Sequence, residues 1–223
     1  CVLPWRNAVM TDPRHNLVWL APQRVGSTVI LHALARDIQY HRGVFRKKLS
    51  GSYSPLLNDP DFQRLRFNDP NAAYDIIVRT TCGPSVVKLE YRLFFGGDAD
   101  QDGWRHRLQD ILVRDDVTIV HAWRRDLFRR FASMAYARKT GMMQRPAGTS
   151  ATDLRVRLNP KHATANITRM REQARTLKRK IGARNVIHID YCDIVDRSAH
   201  SRLRRELDLP LSETPIYEFD RVI

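Results

Sequence analysis

Cysteine is scarce. Cys1, Cys82 and Cys192 are odd in number, far apart and without Cys-x-x-Cys spacing, which excludes a disulfide scaffold and a zinc ribbon. A reducing, cytoplasmic compartment is the simplest expectation. Because the first residue is Cys1 and not Met, a missing targeting segment would allow a Golgi-type lumen instead. Long apolar runs are also absent. The longest are short stretches such as Val117-Thr118-Ile119-Val120, far below the roughly 18 residues of a membrane span. No His, Cys, Asp or Glu cluster has metal-ligand spacing, so no metal is expected. Repeats and low-complexity segments are lacking too, and 223 residues suit one domain spanning 1–223 with a proper core.

Acidic residues are few. Against 24 Asp and Glu stand 38 Lys and Arg, 31 of them arginine, for a net charge of +14. Such a field attracts nucleic acid, phosphate, sulfate, acidic glycans or an anionic membrane face. Arginine over lysine favours forked recognition of oxyanions, although genomic base composition produces the same bias. A further 43% of the residues are hydrophobic, ordinary for a folded chain.

Asn16 to Ala21 reads as a buried strand, followed by a Pro/Gly/Ser/Thr turn and an apolar-rich helix from Thr28 to Tyr40. Residues 41–72 are polar and read as an irregular surface excursion of the kind that carries specificity. Tyr74 to Arg79 suits a short helix or a strand. Val86 to Glu90 is a second strand, Trp104 to Val113 a helix, Val117 to Ala122 a third strand and Asp126 to Arg138 another helix. A Gly/Pro loop from Gly141 to Gly148 precedes a basic amphipathic helix, His162 to Ile181, which stops at Gly182. Val186 to Tyr191 is the fourth strand, and Ser198 to Leu207 a closing helix. This alternation predicts an α/β fold of three layers, P-loop-like, with a mostly parallel sheet. Ligands of such sheets bind beyond the carboxyl ends of the strands.

Two turns carry the chemistry. Ala21-Pro22-Gln23-Arg24-Val25-Gly26-Ser27-Thr28 joins a strand to a helix, where free amides and the helix dipole favour an anion. Gly26 allows close backbone approach, and Ser27 and Thr28 add hydroxyls. Compared with the nucleoside-triphosphatase loop GxxxxGK[ST], Ala21 replaces the first Gly and Ser27 the Lys, while a cation stands at Arg24. That disfavours a magnesium-bound β/γ-phosphate but not a single phosphate; the bland alternative is an ordinary capped strand–turn–helix junction. The second segment, Ile119 to Ser133, repeats the arrangement: an apolar strand, then the basic turn Arg124-Arg125, then a helix. Arg125 and Ser133 lie eight residues apart, about 12 Å if all were helical, so both can touch one phosphate. The alternative is a solvated basic helix with a buried small residue.

Together these segments resemble the PAPS-dependent sulfotransferases. Pro22 to Thr28 fits that family's 5′-phosphosulfate loop, Pro-x-[Lys/Arg]-x-Gly-[Ser/Thr]-Thr, and Arg125…Ser133 fits its 3′-phosphate motif. Ile189-Asp190-Tyr191-Cys192-Asp193 looks like its strand ending in Tyr-Glu-Asp, with Cys192 in place of Glu. The order and spacing of the motifs extend the likeness over most of Asn16 to Pro210. Val29, where the cytosolic phenol enzymes have Trp, brings the chain nearer to bacterial carbohydrate (nodulation- and trehalose-type) members. The Gly-rich C-terminal phosphate motif of the cytosolic branch is absent.

The resemblance implies transfer of a sulfuryl group from PAPS to a hydroxyl, by in-line displacement and without a metal. Arg24 would stabilise the bridging oxygen and 5′-phosphate, and Val25, Gly26, Ser27 and Thr28 would cradle that phosphate. Arg125 and Ser133 would hold the 3′-phosphate, and Tyr191 would line the adenine pocket. For the base, strand alternation puts Lys88 and Glu90 on one face at the carboxyl edge. Glu90 stands where the cytosolic branch has His; Lys88 would help keep it ionised. An exposed Lys–Glu pair is the alternative. His32, four residues after Thr28, is a second candidate base, or else a packed or solvent-facing histidine. His121, mid-strand, reads as buried structure.

The expected acceptor is a carbohydrate or glycolipid hydroxyl, with the charge favouring an acidic one, chosen by the 41–72 and 141–160 segments. Two other classes compete. A small-molecule kinase suffers from the missing loop Lys and Walker-B Asp. A basic nucleic-acid-binding module would use Arg169 to Lys180, but no recognition motif accompanies that run and no nucleic acid is expected.

Overall fold

Strand Asn16–Ala21 (β1) is buried at all six residues, the mark of a parallel strand covered on both faces. The computed structural model describes residues 16–34, 37–41, 59–80, 85–95, 102–141, 156–182, 186–196 and 198–209. Helix Ser27–Leu34 (α1) leads from β1 to Gln39–His41 (β2). Helices Pro60–Asn68 (α2) and Pro70–Thr80 (α3) precede Ser85–Glu90 (β3). Arg92–Phe95 (α4) and Asp102–Leu112 (α5) lead to Thr118–Trp123 (β4), and Leu127–Thr140 (α6) and Pro160–Ile181 (α7) lead to Val186–Asp190 (β5). Tyr191–Val195 (α8) and Ser198–Glu206 (α9) follow.

The sheet runs β2-β3-β1-β4-β5, every pair parallel. From β1 the chain crosses to β2 on one side, while the later crossovers all advance towards β5. Right-handed crossovers therefore put α1 on one face and the helices of the later crossovers on the other. The core divides accordingly. Leu17, Trp19 and Ala21 meet Ile30, Leu31 and Leu34 of α1 and Ile194, Ala199 and Leu203 of α8 and α9. Val18 and Leu20 meet Tyr74 and Ile77 of α3, Leu108 and Ile111 of α5 and Leu177 of α7. Each such fully buried side chain contributes roughly 1.5–3 kcal/mol before entropy is counted. The α/β, three-layer expectation with a parallel central sheet is what the structure has.

Local expectations differ in places. The helix expected to reach Tyr40 closes earlier: the amides of Asp37 and Ile38 turn back to the Leu34 carbonyl at 2.8 and 3.1 Å, and Tyr40 lies in β2, which pairs with Ser85 to Val87. The segment 41–72, expected to be irregular, is helical from Pro60. Asp59 accepts from the amides of Asp61 and Phe62, with Pro60 at the first helical position, and the Asp69 carboxylate accepts from the Ala72 amide at the start of α3. Phe62 and Arg66 are buried, so α2 belongs to the packed layer. Residues 42–58 and 142–155 of the two expected specificity segments lie outside the described residues. The fourth strand ends at Asp190, and Tyr191 opens α8. Helix α7 stops where expected, at Gly182, whose φ is 66°.

Candidate functional site

Neighbouring strands β1 and β4 send their chains in opposite directions and onto opposite faces. A crevice is thereby left beyond their carboxyl ends. The turn after β1 fills one lip. Arg24 and Gly26 both have positive φ, 66° and 71°, a conformation that costs arginine but not glycine. Between them Val25 is fully buried, pinning the turn to the α1 face. A Cβ on Gly26 would stand 3.1 Å from Ile194 Cγ2 and 3.4 Å from the Tyr191 ring, so α8 packs directly on this glycine. The Val29 amide donates to the Gly26 carbonyl at 3.0 Å. The amides of Ser27 and Thr28 thus precede the first internal bond of α1, as at an anion-binding helix start.

The turn after β4 is stitched to the first. Arg24 Nε donates to Ser133 Oγ of α6 at 3.0 Å, and Arg130 Nε donates to the Gln23 carbonyl at 3.0 Å. The Arg124 guanidinium lies over the Tyr191 ring, 4.1 Å from its centroid, an arrangement that favours the cation. Gly26, Arg24, Ser133, Arg124 and Tyr191 therefore form one continuous site. Arg125 faces outward. It is 85% exposed and its Nε pairs with Asp190 Oδ2 at 3.0 Å, at the end of β5. Ser133 is buried on Arg24, so these two residues, expected to share a phosphate, have different partners.

Two arginines at this site were not singled out from the sequence. Arg124 is 6% exposed and Arg130 5%, and Arg124 Nε and Arg130 Nη1 have no hydrogen-bond partner among the described residues. Burial, with Arg124 nearby, draws the Arg130 guanidinium down to about 10, despite the opposing pull of Tyr91. Burial likewise lowers Arg24, with Arg124 adding to the effect and Tyr191 opposing it. Buried cations short of partners are costly, and an oxyanion would supply both charge and acceptors. The doublets Arg124-Arg125 and Arg129-Arg130 were the visible signal, but only tertiary packing distinguishes the buried member of each.

Glu90 is buried, not the exposed partner of a surface pair. Lys88, two residues earlier on the same face, is half-buried. Gln23 Nε2 donates to Glu90 Oε2 across a long 3.5 Å, so the carboxylate stands beside the first turn. His32 belongs to α1, and its side chain lies outside the described residues. Among the described residues no group of three His, Cys, Asp or Glu is placed to hold a metal ion, and no helix is long and apolar enough to cross a membrane.

Beside the first turn lies a cavity of about 440 Å³ between α4, α6 and α7, reached by Gln23, Tyr91 and Arg130. Behind Tyr91, its hydroxyl meets His121 Nε2, and His121 Nδ1 lies 3.2 Å from Nδ1 of exposed His188. His121 is buried, as expected for a mid-strand histidine. Desolvation, with His188 and Lys178 adding, lowers it to about 4. The unfolded chain, with His near 6.5, binds this proton more readily than the fold does, so stability rises with pH across the window. As pH falls from 6.5 to 4, His121 should cost about 3 kcal/mol of stability, with no further loss below. Urea unfolding of His121→Gln should lose that part of the pH slope; equal slopes in both proteins would refute the assignment.

No protein-family model and no curated protein matches the chain. Among solved structures, the crystal structure of a sulfotransferase from Alicyclobacillus acidocaldarius is similar with a TM-score of 0.45 and 14% identity. That likeness covers 94% of this chain and 85% of that one.

Proposed function

We propose that the protein is a sulfotransferase that moves a sulfuryl group from PAPS to a hydroxyl of a carbohydrate or glycolipid. One observation carries the reading: the two basic turns meet, through Arg24 and Ser133, around the buried Arg124 guanidinium, whose Nε has no hydrogen-bond partner among the described residues. A donor bearing phosphate at two ends of an adenosine fits this set. The amides of Gly26, Ser27 and Thr28 would take the 5′-phosphate, with Arg24 beside it. Arg124 would add charge there, and its stacked Tyr191 would form a wall for the adenine. Arg125 and Ser133 would hold the 3′-phosphate. For that, Arg125 must leave Asp190; its guanidinium is 85% exposed, so water already competes for it and a phosphate can displace the carboxylate. Bound PAPS supplies the sulfuryl group: the acceptor oxygen bonds to sulfur as the bond to the 5′-phosphate breaks, and PAP departs. Glu90 would take the proton of the acceptor hydroxyl.

PAP tests the donor. At a hundred times its dissociation constant it should stabilise the fold by about 2.7 kcal/mol. In a chain of this size that raises the melting temperature by roughly 5–10 °C. Arg125→Ala should abolish most of the shift. No change in unfolding at millimolar PAP refutes the donor assignment, and a larger shift with ATP and magnesium would point to a kinase.

A further inference from the structure

The cavity between α4, α6 and α7 carries more information than its position. Its wall includes Arg130 and Arg138 of α6 and Arg169 of α7, and among the described residues no acidic side chain lines it. Arg130 reaches it from the interior, its Nε held on the Gln23 carbonyl. Arg169 is braced by its own helix: Nη2 donates to Asn166 Oδ1 at 2.6 Å, and buried Asn166 is itself fixed by donating to the His162 carbonyl at 2.8 Å. Arg138 lies eight residues, about 12 Å, along α6 from Arg130, and both reach the cavity. An oxyanion in the cavity would accept forked hydrogen bonds from the guanidiniums that line it. The rest of the wall is mixed: Phe95, Met134 and Met170 suit the C–H faces of a sugar ring, and Gln173 can hydrogen-bond its hydroxyls. A volume near 440 Å³ is that of a small-molecule site.

We propose that this cavity seats an anionic group of the acceptor: a saccharide bearing a carboxylate, sulfate or phosphate, clamped by Arg130, Arg138 and Arg169. Calling the guest the acceptor rests on the sulfuryl-transfer reading; the anion seat itself does not. Gln23 links the two sites. Its carbonyl holds Arg130, its side chain touches Glu90, and it lines the cavity. A ring anchored by its anion at Arg130 would thus have its other hydroxyls next to the phosphate turn. The clamp would choose acceptors by charge, and a neutral ring would leave the arginines unpaired.

The test uses glucuronate, glucose 6-sulfate, glucose 6-phosphate and neutral glucose, titrated into the wild-type chain and into Arg138→Gln/Arg169→Gln, with and without saturating PAP. Both replaced residues are exposed, so the variant should keep its fold, checked by its melting temperature without ligand. At least one charged sugar should bind roughly tenfold or more tighter than glucose, equivalent to about 1.4 kcal/mol, and the variant should lose that preference. The rank of the three charged probes identifies the oxyanion. No preference over glucose, or a preference that survives in the variant, overturns the seat. A preference lost in the variant, in a protein that PAP does not stabilise, keeps the seat and rejects the donor. A PAP shift without any preference does the reverse.

Discussion

Replacing Glu90 by glutamine is expected to leave the PAP-induced rise in melting temperature intact while lowering sulfuryl transfer on the order of 10²–10⁴-fold. The change keeps the shape of the side chain and removes its ability to take a proton. Shape matters here because Glu90 is 5% exposed and register-paired with Ala21, the last residue of β1. A smaller residue would leave a void under the phosphate turn and confuse binding with catalysis. The carboxylate is not in the cavity wall; Gln23 stands between them. At 3.5 Å that contact is at the limit of a hydrogen bond, so Gln23 releases Glu90 at little cost when an acceptor enters. Full activity of Glu90→Gln would remove Glu90 as base and turn attention to His32.

The largest expected loss of stability lies beside the amino end of β2. Arg204 of α9 is 1% exposed and bound to Asp37, just before β2, while its Nε donates to His200 Nε2 at 3.0 Å. Asp37→Ala should cost about 3–5 kcal/mol, because it takes the Asp37 counter-charge from a buried guanidinium. The urea midpoint should fall with little change in slope. The double variant Asp37→Leu/Arg204→Met, which removes both charges, should recover most of that loss. A single variant within about 1 kcal/mol of wild type would show that other partners of Arg204 suffice. Donor binding should be untouched in either variant, since α1 separates this pair from the phosphate turn.

How far the chain announces this arrangement can be judged residue by residue. The buried strands β1, β3 and β4 stand out because each is an apolar run bounded by turn residues. The phosphate turn stands out because Pro22, Gly26 and two hydroxyl residues lie at a strand–helix junction. Strand β2 does not: Gln39-Tyr40-His41 is three residues long with no apolar alternation, and it forms only by pairing with β3 at the sheet edge. Helices α2 and α3 were legible in principle. Asp59-Pro60 and Asp69-Pro70 are each a capping residue followed by proline at the first helical position, but the polarity of the surrounding segment outweighed them. The cavity and its arginines were beyond reach. Whether Arg124, Arg130 or Arg125 is buried depends on where α6 and α8 settle, and no local pattern encodes that.

Gly26 lies against Tyr191 and Ile194, Val25 is sealed beneath, and Arg24 is fastened to α6. The first turn is therefore moulded before any guest arrives, by parts of the chain more than a hundred residues downstream. Its left-handed backbone is a shape already set, and the ordering entropy of binding was spent during folding. Recognition at this lip is then a matter of displacing water from a rigid mould, and selectivity must come from the more exposed arginines opposite it.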